Sequence, residues 1–189
     1  MLYTGKGDGG TTKTFGACDQ RISKSSAITE ALGSLDEVNS FLGVVKVNAR
    51  AYEILVPVGG GEEKMLGEII DRVQQNLFTV QAEVAGADKH IVEEKVRESE
   101  SIINTVETEL PPIKTFFVSG GTELAALLDF SRTLARRAER RVVGVHEEGT
   151  RAVGKETLAY LNRLSSLLYA LARHTNHKSG ITEEPPTYQ

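Results

Sequence analysis

Hydrophobic residues return every three to four positions along five stretches of this chain, which is the pattern of helices that bury one face. The pattern predicts helices over residues 26–49, 62–85, 89–110, 122–147 and 155–178. In the last of these the apolar stripe reads Leu158, Leu161, Leu164, Leu168 and Leu171. Short links join the segments, so the sequence predicts an all-α fold, a five-helix bundle of up-and-down topology.

Glycine and proline mark the boundaries between these helices. A glycine-rich stretch at 58–62 predicts a linker before the second helix, and Asp88 is a candidate N-terminal cap for the third. Pro111 and Pro112 end the third helix, because proline cannot continue one. We expect one domain with three parts: a non-helical N-terminal segment at 1–26, the bundle at 27–178 and an extended or disordered tail at 179–189.

The N-terminal segment has the composition of a loop that cradles an anion. Its glycines, hydroxyls and lysines supply these candidates for a phosphate site: Thr4, Gly5, Lys6, Gly7, Thr12, Lys13 and Lys24. Glycines let backbone N–H groups approach phosphate oxygens, hydroxyls donate hydrogen bonds, and lysines supply positive charge. The spacing of a P-loop is absent. A flexible tail would have a similar composition, so both interpretations stay open at this point.

The fourth predicted helix carries a cluster of arginines. Three of them share roughly a quarter of the helix circumference, because residues four apart step round slowly: Arg132, Arg136 and Arg140. Glu139 falls on the same arc, whereas Arg137 and Arg141 point elsewhere. Like charges four apart repel, and a polyphosphate would offset that repulsion because guanidinium groups match phosphate oxygens two at a time. A solvated basic face is the alternative.

Other candidates are less specific. Phe116 and Phe117 occupy a predicted loop, where they either plug the core or form a wall of a ligand site. Asp36 lies on a polar side of the first helix and, taken alone, is typical of a solvent-facing carboxylate. A polar stripe on the fifth helix suits a ligand-facing edge and plain surface equally: Asn162, Ser166, Tyr169 and Arg173. We expect His174 and His177 at the surface, since the Glu-x-x-His tetrad of di-iron bundles is absent.

Charge and cysteine content narrow the classes of function. The chain holds 22 Lys and Arg against 26 Asp and Glu, a net charge of −4 at pH 7. Binding of nucleic acid or a membrane through bulk positive charge is therefore not expected. A single cysteine, Cys18, excludes an internal disulfide and a cysteine-cluster metal site. The polar N-terminus lacks the pattern of a signal peptide, and we expect a soluble, cytoplasmic protein.

Taken together, these motifs resemble those of one family, the PduO-type ATP:cob(I)alamin adenosyltransferases. The residues that carry the resemblance keep the family's order over nearly the whole chain: Tyr3-Thr4, Gly7-Asp8, Gly10-Thr11-Thr12, Lys24, Gly33-Ser34-Leu35-Asp36-Glu37-Val38-Asn39, Phe116, Gly120-Gly121-Thr122, Arg132, Arg136-Arg137-Ala138-Glu139-Arg140 and Leu161-Asn162-Arg163-Leu164-Ser165. The arginine motif with Asn-Arg-Leu-Ser behind it is the specific part. The resemblance implies a ferritin-like bundle in a minimal single-domain form, without the extra C-terminal domain of some members.

The same resemblance implies an activity and its partners. The reaction would transfer the 5′-deoxyadenosyl group of ATP to the reduced cobalt of cob(I)alamin, giving adenosylcobalamin and triphosphate. The protein would be a homotrimer with active sites between subunits, and magnesium would accompany the ATP. A flavoprotein reductase would supply reduced cobalt from cob(II)alamin, and a cobalamin-dependent enzyme would accept the product.

Roles for single residues follow from the resemblance as well. The nucleotide site would comprise Thr4, Gly5, Lys6, Gly7, Thr12, Lys13, Lys24, Arg136, Arg137, Glu139, Arg140 and Asn162. Magnesium would be held by the ATP phosphates, with Glu139 as a candidate ligand. Asp36 and Arg132 would pair across the subunit interface and shape the corrinoid side, where Phe116 would crowd the lower face of the corrin. The catalytic set would then be Arg132, Arg136, Phe116 and Asp36.

The residues are compatible with this chemistry. Cobalt(I) is itself the nucleophile, so the protein must chiefly position carbon 5′ and stabilise the departing triphosphate. The chain departs from the family pattern at Gly5, where a basic residue is common and Lys6 lies one position later, and at Ser119 and Ser166, where proline and aspartate are common. The alternatives are a non-catalytic ATP- or corrinoid-binding carrier or regulator and a purely structural helical oligomer.

Overall fold

The structure, a computed structural model, describes residues 2–15 and 20–188. Within these residues the helices are α1 (Ala27–Ala49), α2 (Leu66–Ala85), α3 (Glu93–Glu109), α4 (Glu123–Glu147) and α5 (Lys155–Lys178). The strands form two antiparallel hairpins, β1 (Thr11–Thr12) with β2 (Ile22–Ser23) and β3 (Leu55–Gly59) with β4 (Glu62–Met65). The predicted all-α five-helix bundle is confirmed. Cys18 lies outside the described residues.

Helix α4 lies between α5 on one flank and α1 on the other. Its buried face is apolar and partly small: Leu124, Ala125, Leu128, Leu134, Ala135, Ala138, Val142 and Val145. Alanines at the centre of that face let the neighbouring helices approach closely, and the leucines and valines fill the space on either side. The apolar face of α4 is thus buried against its neighbouring helices, and the arginine-bearing face lies at the surface.

The starts of three helices are capped in two different ways. Ser26 caps α1 by accepting from the Thr29 amide, and the Thr122 hydroxyl caps α4 by accepting from the Ala125 amide at 3.1 Å. Gly154 precedes α5 and has no side chain to do this. Instead Glu83 of α2, 3% exposed, accepts from the Gly154 amide at 2.7 Å and from a hydroxyl in the first turn of α5 at 2.5 Å. A negatively charged carboxylate at the N-terminus of a helix also interacts favourably with the helix dipole.

The predicted linker at 58–62 is wrong. This stretch belongs to the β3–β4 hairpin, which turns through Gly60 (φ 63°) and Gly61 (φ 79°). Val56 is fully buried, and the Ser101 hydroxyl of α3 donates to the Val58 carbonyl at 2.8 Å. Because residues 62–65 pair with β3, α2 begins at Leu66 and not at 62.

The predicted start of the third helix is also wrong. Helix α3 begins at Glu93, and Asp88 does not cap it, since its carboxylate instead contacts His90 at 3.1 Å. Ile91, two residues before the helix, is buried and its amide donates to Thr157 of α5 at 3.4 Å. This contact holds the chain extended over the start of α5 and delays the helix.

The expected surface position of His174 is wrong, whereas His177 is exposed as predicted. His174 is 0% exposed because the β3–β4 hairpin covers the end of α5, and its Nε2 hydrogen-bonds to the Leu55 carbonyl at 2.9 Å. Burial lowers the pKa of His174. The ring is therefore neutral at pH 7, and its Nε2–H donates to the hairpin.

Candidate functional site

The glycine-rich N-terminal loop is folded into tight turns. Gly5 and Gly10 have positive φ angles of 68° and 75°, which favour glycine. The Asp8 amide donates to the Gly5 carbonyl at 3.2 Å, and the Gly10 amide donates to the Gly7 carbonyl at 3.1 Å. These turns give residues 5–10 a defined curvature, with Thr4 and Lys6 exposed beside it.

Lys24 lies against this loop. Its amide donates to the Gly10 carbonyl at 2.9 Å, and a Cβ atom built on Gly7 would lie only 3.0 Å from its Nζ. A side chain at position 7 would therefore displace the ammonium group. The structure thus places Lys24 at the turns of residues 5–10, while Thr12 lies in β1 and Lys13 is exposed just after it.

Arg21 is the residue of this loop that the sequence analysis missed. Its Nε donates to the Thr11 hydroxyl at 2.8 Å, and its Nη2 donates to the Thr11 and Lys6 carbonyls, both at 2.6 Å. The guanidinium thus ties the first turn to the β1–β2 hairpin. A basic residue in a non-helical segment was the available signal, but nothing in the sequence indicated that its partners are backbone carbonyls.

Glu139 and Asn162 meet where α4 and α5 are side by side. Asn162 Nδ2 donates to Glu139 Oε1 at 2.9 Å, and Asn162 Oδ1 accepts from Arg163 at 2.7 Å. Arg136 and Arg140 lie within one turn of Glu139 on α4, both are exposed, and neither makes an ion pair within the described residues. Two unpaired guanidinium groups beside a fixed carboxylate and amide form a cationic surface that suits a polyphosphate.

Arg132 continues this surface toward the start of α4. Its Nε donates to Asp129 at 2.6 Å, and its guanidinium lies 5.9 Å from the centre of the Tyr169 ring on α5. Burial would raise the pKa of the Asp129 carboxyl, but hydrogen bonds from Arg132 and Ser119 outweigh it and lower that pKa. Asp129 is therefore ionised at neutral pH and holds Arg132. Asp129 was not among the predicted site residues, although its position three residues before Arg132 on one helix indicated an ion pair.

Two predicted site residues lie on other parts of the surface. Arg137 forms an ion pair with Glu37 of α1, in a cleft that Arg141 also lines. Asp36 is exposed on α1, and within the described residues it makes no hydrogen bond or ion pair with Arg132. The predicted pairing of Asp36 with Arg132 concerns two subunits and stays a prediction.

Phe116 projects from the loop between α3 and α4. Its side chain is 80% exposed, so it does not plug the core. Just beyond it, Asn176 of α5 donates to the Gly120 carbonyl at 2.9 Å and accepts from the Thr122 amide at 3.0 Å. Gly121 has a φ of 98°, and a Cβ there would come within 2.3 Å of Asn176 Oδ1. Glycine at position 121 is therefore required for this clamp.

The hydrogen bonds and ion pairs of the N-terminal loop lie mostly within the loop itself. Apart from those of Lys13, the hydrogen bonds and ion pairs of residues 2–15 and 20–26 do not reach α4. Glu37, which marks the level of Arg137, follows Ala27 by ten residues, about 15 Å along a helix that rises 1.5 Å per residue. Arg141, one turn further along α4, lines a cleft with Thr29 and Glu30, so the C-terminal end of α4 lies nearer to the start of α1.

The described part of the chain contains neither a metal cluster nor a membrane-spanning helix. Among residues 2–15 and 20–188, no three His, Cys, Asp or Glu side chains are grouped as a metal site. Over the same residues, none of the helices combines the length and apolar character needed to span a bilayer.

Comparison with known proteins gives a consistent result. Residues 2–175 match the family model described as cobalamin adenosyltransferase. The chain is 36% identical to a corrinoid adenosyltransferase of Bacillus subtilis, over 95% of this chain and 89% of that protein. It is 35% identical to the corrinoid adenosyltransferase PduO of Citrobacter freundii, where 97% of this chain spans 53%, about half, of the relative's length.

Solved structures agree with the sequence comparison. A variant PduO-type ATP:corrinoid adenosyltransferase from Lactobacillus reuteri, complexed with cobalamin and ATP, superposes with a TM-score of 0.84 at 27% identity, covering 98% of this chain and 96% of that one. A second variant of that enzyme, complexed with the same two molecules, gives a TM-score of 0.84 at 28% identity over the whole of both chains. On this evidence, the chain belongs to the cobalamin adenosyltransferase family.

Proposed function

We propose that this protein is an ATP:corrinoid adenosyltransferase. It transfers the 5′-deoxyadenosyl group of ATP to the cobalt of cob(I)alamin: cobalt(I) donates an electron pair to carbon 5′, a Co–C bond forms, and the C–O bond to the triphosphate breaks. The observation that carries the proposal is the α4–α5 surface, where the Glu139–Asn162 hydrogen bond of 2.9 Å lies within one helical turn of the exposed Arg136 and Arg140. The related proteins named above supply the identity of the substrates.

The charges of this surface suit the demand of the reaction. The leaving triphosphate gains negative charge as the C–O bond breaks, and guanidinium groups already in place stabilise that charge without reorganisation. Glu139 would hold Asn162 against the nucleotide and offer its second oxygen to magnesium, which reaches the site with the ATP phosphates and helps to neutralise them.

The N-terminal loop supplies the other half of the nucleotide site in this proposal. Its turns at Gly5 and Gly10 and the Lys24 ammonium beside Gly7 form a small cationic cradle. Lys13 apart, the described residues of the loop make no hydrogen bond or ion pair with α4 of their own chain, and we propose that the loop of one subunit closes on the arginine surface of another. This is the reason to propose a homotrimer with shared sites, and exposed Val44, Val47 and Phe130 on α1 and α4 give such a contact apolar area.

The corrinoid side lies toward the start of α4 in the same proposal. Arg132 and Asp36 would meet across the subunit boundary, and the exposed Phe116 ring would displace the lower ligand of cobalt and so ease its reduction. The proposal includes a flavoprotein reductase, which supplies reduced cobalt, and a cobalamin-dependent enzyme, which accepts the product. It also includes a cytoplasmic location, where ATP is available.

One assay tests the proposed reaction. The protein is incubated with ATP, magnesium and chemically reduced cobalamin, while the corrinoid absorption spectrum and triphosphate release are followed. We expect adenosylcobalamin and triphosphate in equal amounts. Binding of both molecules without either product would contradict the proposal and favour a non-catalytic carrier.

A further inference from the structure

Arg173 is almost completely buried, with 5% of its side chain exposed. Its Nε donates to Glu183 at 2.7 Å, and its Nη2 donates to the Pro111 carbonyl at 3.0 Å. The guanidinium also lies 5.2 Å from the centre of the Phe117 ring. A buried guanidinium is costly unless it is paired and hydrogen-bonded. Arg173 meets that condition by joining three segments: α5, the C-terminal residues and the loop before α4.

These contacts fix the α3–α4 loop on both sides of Phe116. Arg173 holds Pro111 before it and Phe117 after it, and the Val118 amide donates to the Glu184 carbonyl at 2.9 Å. The backbone of Phe116 is thus held, while its ring is 80% exposed. A loop built in this way presents one large apolar group at a fixed place.

The buried Arg173–Glu183 pair also lies near Arg132, the residue of α4 that is proposed to lie on the corrinoid side of the site. Burial raises the pKa of Tyr169, and the charges that act on its hydroxyl are those of Arg173, Glu183, Asp129 and Arg132. Tyr169 therefore lies between the two arginines, along one edge of α5. Glu183 itself lies beyond residues 2–175, which match the family model.

We propose that Arg173 and Glu183 are positioning residues for Phe116, and that the segment 181–184 acts as a strap which sets the corrinoid-binding loop. The inference rests on the proposed function, because it assigns the Phe116 ring to the corrinoid. Neither residue is required to touch a substrate. Their loss should loosen the loop and weaken corrinoid binding, while ATP binding on the α4–α5 surface stays as it was.

Glu183→Gln is the informative variant, because it removes the charge of the strap without disturbing a helix. Glu184→Gln is the matched control, because the Glu184 side chain is exposed. The substitution leaves the hydrogen bond from the Val118 amide to the backbone carbonyl of residue 184 in place. Hydrogen exchange of residues 113–121, followed by mass spectrometry, reports the loop. Absorption titration with cob(II)alamin reports corrinoid affinity, and titration with ATP reports nucleotide affinity.

In Glu183→Gln we expect exchange of the loop to accelerate and the corrinoid dissociation constant to rise about ten-fold, as for loss of one charge-assisted hydrogen bond. The ATP dissociation constant should not change, and Glu184→Gln should match the wild type in all three readouts. Arg173→Lys keeps the positive charge but loses the planar guanidinium that donates to two partners at once. It should therefore also accelerate loop exchange and weaken corrinoid binding.

The inference would be overturned by wild-type loop exchange in Glu183→Gln, or by faster exchange with unchanged corrinoid affinity. An equal loss of ATP and corrinoid affinity would also contradict it, because that indicates a general structural defect. Failure of this inference can be distinguished from failure of the proposed function, because the latter would appear as absence of adenosyl transfer by the wild type. The two affinities and the loop exchange are measured without any turnover.

Discussion

Replacing Glu83 with alanine should destabilise the start of α5. The carboxylate is 3% exposed and accepts from the Gly154 amide at 2.7 Å and the Thr157 hydroxyl at 2.5 Å. Each donor left unpaired in a buried place costs about 1–3 kcal/mol, and removal of a buried charge returns part of that cost. We expect a net loss of about 3 kcal/mol in the free energy of unfolding. For a chain of this size that corresponds to a fall of about 6–12 °C in the melting temperature.

Thermal unfolding followed by circular dichroism measures this effect, and urea titration gives the free energy. Glu107→Ala is the control, because Glu107 is an exposed glutamate on α3 and its loss should cost no more than about 0.5 kcal/mol. The reasoning is refuted if Glu83→Ala unfolds with the same midpoint as the control. That result would mean that water replaces the carboxylate, and that α2 does not determine where α5 begins.

Three other substitutions probe the loops and one charge. Phe116→Ala should slow the route from cobalt(II) more than the route from chemically reduced cobalt(I), and equal slowing in the two assays would exclude the displacement role. Arg21→Ala should raise the KM for ATP several-fold, because the Lys6 and Thr11 carbonyls lose their shared donor; an unchanged KM would show that the loop folds without it. Hydrogen bonds to Glu83 and Asp88 raise the pKa of His90 above its usual 6.5, so the stabilisation is complete below pH 6.5 and is lost as pH rises through the raised value. His90→Gln should therefore lower the melting temperature near pH 5.5 and leave it unchanged near pH 9, and a difference independent of pH would contradict this.

The helices were the predictable part of the fold, because their apolar faces repeat over many turns. The predicted bounds of α4 and α5 differ from the observed ones by at most one residue. The β3–β4 hairpin was not predictable in the same way. Its short strands contain a proline and lead into consecutive glycines, which locally resemble a linker, and only the burial of Val56 against the rest of the fold identifies a strand.

The candidate site divides along similar lines. Sequence motifs indicated Glu139 and Asn162, which lie 23 positions apart and are hydrogen-bonded in the structure. Arg21 and Glu183 were not assigned roles, and Arg173 was assigned only to a polar stripe of the fifth helix. Their partners are backbone carbonyls or distant side chains that no spacing rule reveals. Residues that bind a ligand repeat a chemical pattern, whereas residues that hold a loop depend on the tertiary structure around it.

The central claim is that the loop of one subunit and the arginine surface of another form one nucleotide site. Lys24→Ala and Arg136→Ala should each abolish most adenosyl transfer while keeping the helix content of the wild type. In trimers assembled from equal amounts of the two variants, half of the loops and half of the arginine surfaces are intact, so about a quarter of the sites should be whole. We predict recovery of about a quarter of wild-type activity in such mixed trimers. No recovery, in oligomers shown by mass spectrometry to contain both variants, would contradict the account.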